Sequence, residues 1–296
     1  MSSFISIKDR FKPYRYTINK GITIIDSSEG KYIVKKQSKE LETLFNYLES
    51  RGFDNFPKIA YNYRNEENVY EFIEEDSIPK KQKIDELAKV VASLHNKTVY
   101  FKDISIDNIK EIKSIIEENI TYMRVYYEGL FLKNCKYEFQ SPSQYLLCRN
   151  YYRIMAALNY AKDNLDKWYE NADKTEFRVS VIHNNLSLDH YIYNKYNSKL
   201  VSWDKYRIDS PIIDIANFYK KEYLNANLSS FFKEYFKRFE ITNNERDLLF
   251  IMLSIPNTIN IDNLNEIDKV REIKKLIKYI DDTENLIRPY NLNQKE

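Results

Sequence analysis

The stretch VIHNNLSLDHYIYNKYNSKLVSWDKYRIDSPIIDIANFY, residues 181–219, decides how the chain is read. A short apolar strand carrying Val179 and Val181 runs into His183. A polar loop follows, then a strand at Tyr191 to Tyr193, a turn at Asn197-Ser198 and a further strand from Leu200 to Trp203. That strand ends on Asp204, and after Pro211 an apolar segment carries Asp214-Ile215-Ala216.

Upstream, the first part of the chain reads as strands with one helix. Tyr14 to Ile18 and Ile22 to Ile25 are strands around a turn at Asn19-Lys20-Gly21. Ser27-Ser28-Glu29-Gly30 closes a hairpin into Lys31 to Lys36. Leu41, Leu44, Phe45 and Leu48 recur with helical spacing, and Gly52 falls just past the end. Two more strands fit Ala60 to Tyr63 and Val69 to Ile73, giving a five-strand sheet with a helix after its third strand. Glu71 to Pro79 is acidic and extended and reads as a hinge. From Lys80 the pattern turns helical, with Ile84, Leu87, Ala88, Val91, Leu94 and His95 on one face. A second amphipathic helix runs from about Asp107 to Tyr127. A third is capped by Ser141 with Pro142 at its first position and runs towards Trp168. Further helices lie near Leu228 to Phe239, Glu245 to Ser254 and Asn265 to Asn285. The tail from Arg288 to Glu296 is polar and expected to fray.

Composition excludes several function classes. The 296 residues suffice for one large or two modest domains with a real core. With 43% hydrophobic and 30% charged residues the chain reads as globular and soluble. A net charge of +2, with no long basic run, argues against nucleic-acid or membrane partners. Only 4 glycines are present, so neither a Walker loop nor a dinucleotide fingerprint exists. The abundance of Tyr, Asn, Ile and Lys points to AT-rich codons and a low-GC bacterial genome, and the many tyrosines read first as packing residues. Cys135 and Cys148 lack any zinc-finger spacing. As two thiols without an apolar leader at the N-terminus, they suit a reducing cytoplasm.

Taken in order, these pieces resemble the aminoglycoside phosphotransferase and choline kinase-like branch of the protein-kinase fold. They look closest to divergent bacterial members grouped with spore-coat kinase-like proteins. That branch uses H-G-D-x-x-x-x-N, a strand pair, an Asp at the strand end and later D-[LI]-A. The matching positions are His183, Asn185, His190, Asp204 and Asp214-Ile215-Ala216. The string L-A-x-x-x-A-x-L-H, ending on His95, also resembles the branch. The resemblance covers nearly the whole chain. It implies an α+β, two-lobed kinase-like fold: a small antiparallel-sheet lobe with one helix over residues 1–75, and a larger, mainly helical lobe over residues 76–296.

The same resemblance implies ATP or GTP with Mg as cofactors. Lys35 takes the place of the phosphate-binding lysine, with Glu40 as its helical partner and Glu42 as the competitor for that role. Gly21 is the one glycine at the phosphate-loop position. An adenine ring would hydrogen-bond to backbone near Phe72 and Ile73. Asp204 supplies a metal-binding carboxylate, and His190 stands where the branch has a metal-binding Asn. His183, Asp214 and His95 are implied to be bracing or structural groups. Asn185 occupies the position of the catalytic Asp.

Two departures bear on mechanism. An amide cannot accept a proton at neutral pH, so Asn185 cannot act as the base. His190 offers an imidazole nitrogen where magnesium prefers oxygen. The first reading is therefore a catalytically degenerate kinase fold, a pseudokinase with a binding or structural role, in a surface assembly such as a spore coat. The second is an active ATP- or GTP-dependent phosphotransferase acting on a small-molecule hydroxyl with altered ligands, Asp189 being one replacement for the lost carboxylate. The third is a transition-metal hydrolase using His183, His190 and Asp204. Acceptor pockets of the branch would map to Tyr122 to Leu132 and Phe231 to Phe239, where core packing is the better reading. A nucleotide is the expected ligand, and a small molecule or a protein is the second partner.

Overall fold

The computed structural model describes residues 11–19, 22–36, 41–63, 67–172 and 175–292. Strands β1 (Arg15–Asn19), β2 (Ile22–Ser27), β3 (Gly30–Lys36), β4 (Ile59–Tyr63) and β5 (Glu67–Glu71) form one five-stranded antiparallel sheet in the order β1-β2-β3-β5-β4. Gly30 closes the β2–β3 hairpin with φ of 140°, a conformation that side chains with a Cβ rarely adopt. Ile25, Val34 and Val69 join Phe11 in a small core of this lobe. Helix α1 (Glu42–Ser50) turns Leu44, Phe45 and Leu48 the other way, into the main core. It ends at Gly52, whose φ of 74° suits a helix stop.

The larger lobe is mainly helical. Its elements are α2 (Lys80–Thr98), β6 (Tyr100–Asp103), α3 (Ile106–Cys135), α4 (Pro142–Asn171), β7 (Glu176–Ile182), β8 (Tyr191–Ile192), β9 (Lys199–Leu200), β10 (Arg207–Asp209), α5 (Pro211–Glu222), α6 (Ser229–Arg238), α7 (Asn243–Ser254) and α8 (Glu266–Leu292). Helix starts follow local chemistry. Ser105, Ser141 and Thr242 each accept from the backbone N–H three residues on, and that residue's side chain accepts from the cap's own N–H. The chain thus has the α+β, two-lobed architecture expected of it. Among the described residues no helix is long and apolar enough to cross a membrane.

Several expectations need correction. The strand expected to reach Trp203 stops at Leu200, because Ser202 adopts a left-handed conformation with φ of 66° and turns Trp203 into the core. Strands β6 and β10 flank β7 but are short and lie at the surface, so no buried alternation announced them. Helix α3 continues to Cys135, and α8 continues to Leu292 where fraying was expected. The two cysteines are bonded to each other rather than free, with Cα atoms 6.1 Å apart across the α3–α4 hairpin. The pairing depends on where two helices turn, which the spacing of the two cysteines does not mark.

Strand β7 feeds the His183 loop and is clamped from α7. The Arg178 guanidinium pairs with both oxygens of Glu245 and stacks 4.5 Å from the centroid of Phe239. Glu245 also accepts from the N–H of its own cap residue, Thr242, at 2.9 Å. Side-chain exposures of 16% and 8% place the pair largely out of water. Glu245→Ala would leave a shielded guanidinium without its carboxylate, at a cost of about 2–4 kcal/mol. Urea unfolding of the variant should show that loss, and a change within about 0.5 kcal/mol, the usual range for surface substitutions, would contradict this role.

Candidate active site

The loop that follows β7 is pinned from behind. Asp214, in the first turn of α5, is fully buried and accepts from the backbone N–H of His183 and of Asn184, both at 2.7 Å. His95 of α2 lies 3.4 Å from the same carboxylate and makes a 2.7 Å hydrogen bond with the Tyr235 hydroxyl. A buried carboxylate needs such donors. The bracing roles implied for Asp214, His95 and His183 are the ones the geometry displays.

Asn184 stands where the resembled motif has glycine, and its φ of 54° explains the exchange. Left-handed backbone favours glycine, and asparagine is among the few residues that tolerate it. Its side chain donates to Lys205 O and accepts from Asn217 of α5 at 3.3 Å. Asn217 escaped the sequence reading, although it lies one turn after Asp214.

The His183 ring packs edge-on to Trp203, with centroids 4.6 Å apart. Its Nε2 donates to Val201 O at 3.0 Å, so that nitrogen carries the proton. Burial pushes its pKa down to about 4, against the opposing influence of the Asp214 charge and the Val201 hydrogen bond. The ring is therefore neutral at pH 7, a brace rather than an acid or base.

Asn185 donates through Nδ2 to Ser202 O at 3.3 Å. Its own carbonyl accepts from His190 Nδ1 at 2.7 Å, which leaves Nε2 of a neutral His190 as the lone-pair nitrogen. Asp189 opens instead into a cavity of about 660 Å³ shared with the hinge residues Glu75 and Asp76 and with Glu222.

Opposite the loop, Lys35 at the end of β3 meets Asp204 in a 2.6 Å ion pair. Both are part-buried, and the contact joins the small lobe to the large one. Asp204 is placed there by the Ser202–Trp203 turn. Phe45 and Phe53 pack edge-on to Trp203 at 6.2 and 6.3 Å, so the small-lobe helix rests on the same residue. Glu40 and Gly21 lie outside the described residues, and Glu42 is exposed in the first turn of α1. At the hinge, Phe72 N–H donates to Lys31 O at 3.0 Å, with Lys31 Nζ 4.1 Å above its ring, and Ile73 follows half-buried. Asp76 and Glu74 tie the hinge to the β8–β9 turn through Tyr193, Lys195 and Asn194.

Of the residues expected to act together, His183, Asn185 and His190 share the loop, and Lys35 and Asp204 face each other across the lobes. The regions proposed for an acceptor are divided. Tyr127, Phe231, Phe232, Tyr235 and Phe239 are core residues, whereas Tyr122 and Leu132 are exposed. Among the described residues no group of three or more His, Cys, Asp or Glu side chains is placed to hold a metal. Since His183 is fully buried with Nε2 bonded to backbone, the hydrolase reading loses its first ligand.

No family model matches this chain. No curated protein matches it. Among solved structures, an aminoglycoside phosphotransferase from Alicyclobacillus acidocaldarius subsp. acidocaldarius DSM 446 is similar at 12% identity with a TM-score of 0.71, over 98% of this chain and 96% of that one. The AMP-bound complex of a spectinomycin phosphotransferase is similar at 11% identity with a TM-score of 0.59, over 95% and 97%. Its complex with ADP and spectinomycin gives a TM-score of 0.53 at 11% identity, over 96% and 97%. At such identities the likeness shows the fold: the chain has the two-lobed fold of the aminoglycoside phosphotransferases.

The buried neutral His183 makes stability depend on pH. Its folded pKa of about 4 lies below the ordinary 6.5, so between those values the unfolded chain binds more protons. Stability is at its full value above pH 6.5 and declines on acidification towards pH 4, by on the order of 3 kcal/mol for this group. Urea midpoints measured from pH 7 to pH 5 should fall in the native protein and fall less steeply in His183→Gln. Equal slopes would contradict a neutral buried ring.

Proposed function

We propose that this protein is a nucleotide-binding member of the aminoglycoside phosphotransferase fold in which proton abstraction has been lost: a pseudokinase that binds ATP or GTP. The observation that carries this reading is the 2.6 Å Lys35–Asp204 pair standing opposite a loop whose base position holds Asn185. Lys35 would orient the nucleotide phosphates as a cation. An ammonium has three N–H donors, so Lys35 can meet a phosphate oxygen beside its contact with Asp204.

The residues suit a magnesium ion that arrives with the nucleotide. Magnesium is commonly held by one or two carboxylates plus phosphate and water oxygens, and Asp204 offers one such carboxylate. His190 presents only a ring nitrogen, so a second protein-held magnesium does not fit. When bound, the ion would neutralise phosphate charge. Asn185 would hydrogen-bond an acceptor hydroxyl without taking its proton. Small-molecule complexes of similar folds, with AMP or with ADP and spectinomycin, support a nucleotide as ligand.

The second reading, an active small-molecule phosphotransferase, is favoured by the same ion pair. Phosphoryl transfer depends mainly on positioning and electrostatics, so a missing base slows the reaction without forbidding it. Asn185→Asp separates the two. The pseudokinase reading expects native ADP release from MgATP near background and a rise of about 100-fold or more in Asn185→Asp, the usual contribution of a general base. A native rate well above background that Asn185→Asp does not raise would favour the active enzyme, and background rates in both would put the deficit in nucleotide or metal binding.

A further inference from the structure

A cavity of about 640 Å³ opens in the large lobe where α4, α7 and α8 meet. Its size is that of a small-molecule pocket, roughly 300–1,000 Å³. None of its lining residues belongs to the His183 loop, the hinge, or the Lys35–Asp204 pair. Ala156 and Ala157 on α4 leave the space open, where longer side chains would fill it. Leu253 of α7 and Ile280 and Ile287 of α8 form an apolar wall opposite.

Three of the hydroxyls around this space are engaged within the protein. Tyr279 donates to Leu253 O at 2.6 Å, Ser254 to Phe250 O at 2.8 Å, and Thr283 shares a 3.0 Å hydrogen bond with Tyr219. With those three engaged, the space between Ala157 and the Leu253–Ile287 wall offers mainly ring and aliphatic contact. The charges of the lining are two guanidiniums and one carboxylate: Arg153, Arg288 and Glu284. Arg288 bonds Glu284 at 2.6 Å, and Arg153 bonds Asp281 and, at 3.4 Å, Asn150. A guanidinium has five N–H donors, so both arginines keep donors for a further anion. Their side chains are 29% and 60% exposed, which places the cationic ends within reach of solvent.

We propose that this cavity is a second ligand site, separate from the cleft between the lobes, for a small amphipathic anion. The apolar ring or chain of the ligand lies against Ala157 and the Leu253–Ile287 wall. Its acidic head meets Arg153 and Arg288. The site stands or falls independently of nucleotide binding, because the two share no residue.

Anilinonaphthalene sulfonate, a ring system with one acidic group, is a direct probe. Fluorescence titration of the native protein should show saturable binding at one site, undisturbed by excess MgATP. Ala157→Trp, which fills the cavity, should weaken that binding about tenfold or more. Arg288→Ala should weaken it about three- to tenfold at low salt, while the uncharged probe phenylnaphthylamine binds as before. Near-ultraviolet circular dichroism checks that each variant keeps native packing, and Ala157→Leu makes the same test if Ala157→Trp does not fold. Absence of saturable binding, displacement by MgATP, or unchanged affinity in a folded cavity-filling variant would each overturn the proposal.

Discussion

The buried carboxylate of Asp214 is the constraint on which the site rests. It holds two consecutive backbone N–H groups, those of His183 and Asn184, and approaches the His95 ring. Removing the carboxylate would leave those donors buried without partners, which is far more costly than losing a surface contact. Because the loop is fixed there, Asn184 can hold its left-handed turn and His183 can lie against Trp203. Trp203 in turn receives Phe45 and Phe53 from the small-lobe side, and its neighbour Asp204 reaches Lys35. A short series of contacts therefore runs from α2 in the large lobe to β3 in the small one.

The substitution pattern in the loop separates backbone from chemistry. Position 184 requires positive φ, and asparagine meets that requirement nearly as glycine does. On the function proposed above, position 185 is that of the proton acceptor, and asparagine carries no charge for that task. One exchange preserves the shape and the other changes what the shape can do. The fold accordingly says little about activity, which depends on a few atoms held in that shape.

Much of this was legible in the sequence, for reasons that differ between elements. The helical stripe from Ile84 to His95 and the Ser141-Pro142 start are local signals, and local signals survive into the structure. That Lys35, Asp204 and Asp214 belong to one region was expected only through resemblance, and the Lys35–Asp204 pair itself was not expected, Glu40 having been read as the partner of Lys35. The left-handed Ser202, the surface strands β6 and β10 and the Cys135–Cys148 bond carried no local mark. Asn217 was missed for the same reason: its contact with Asn184 is set by how α5 docks on the loop. Glu40 and Gly21, read as parts of the phosphate site, lie outside the described residues.

The central claim is that Lys35 and Asp204 form a nucleotide site beside a loop that has lost its base. Calorimetric titration of ATP into the native protein and into Asp204→Ala, with and without magnesium, tests it most directly. The account predicts binding to the native protein that magnesium strengthens, and loss of the magnesium effect in Asp204→Ala. No ATP binding to the native protein in either condition would contradict it.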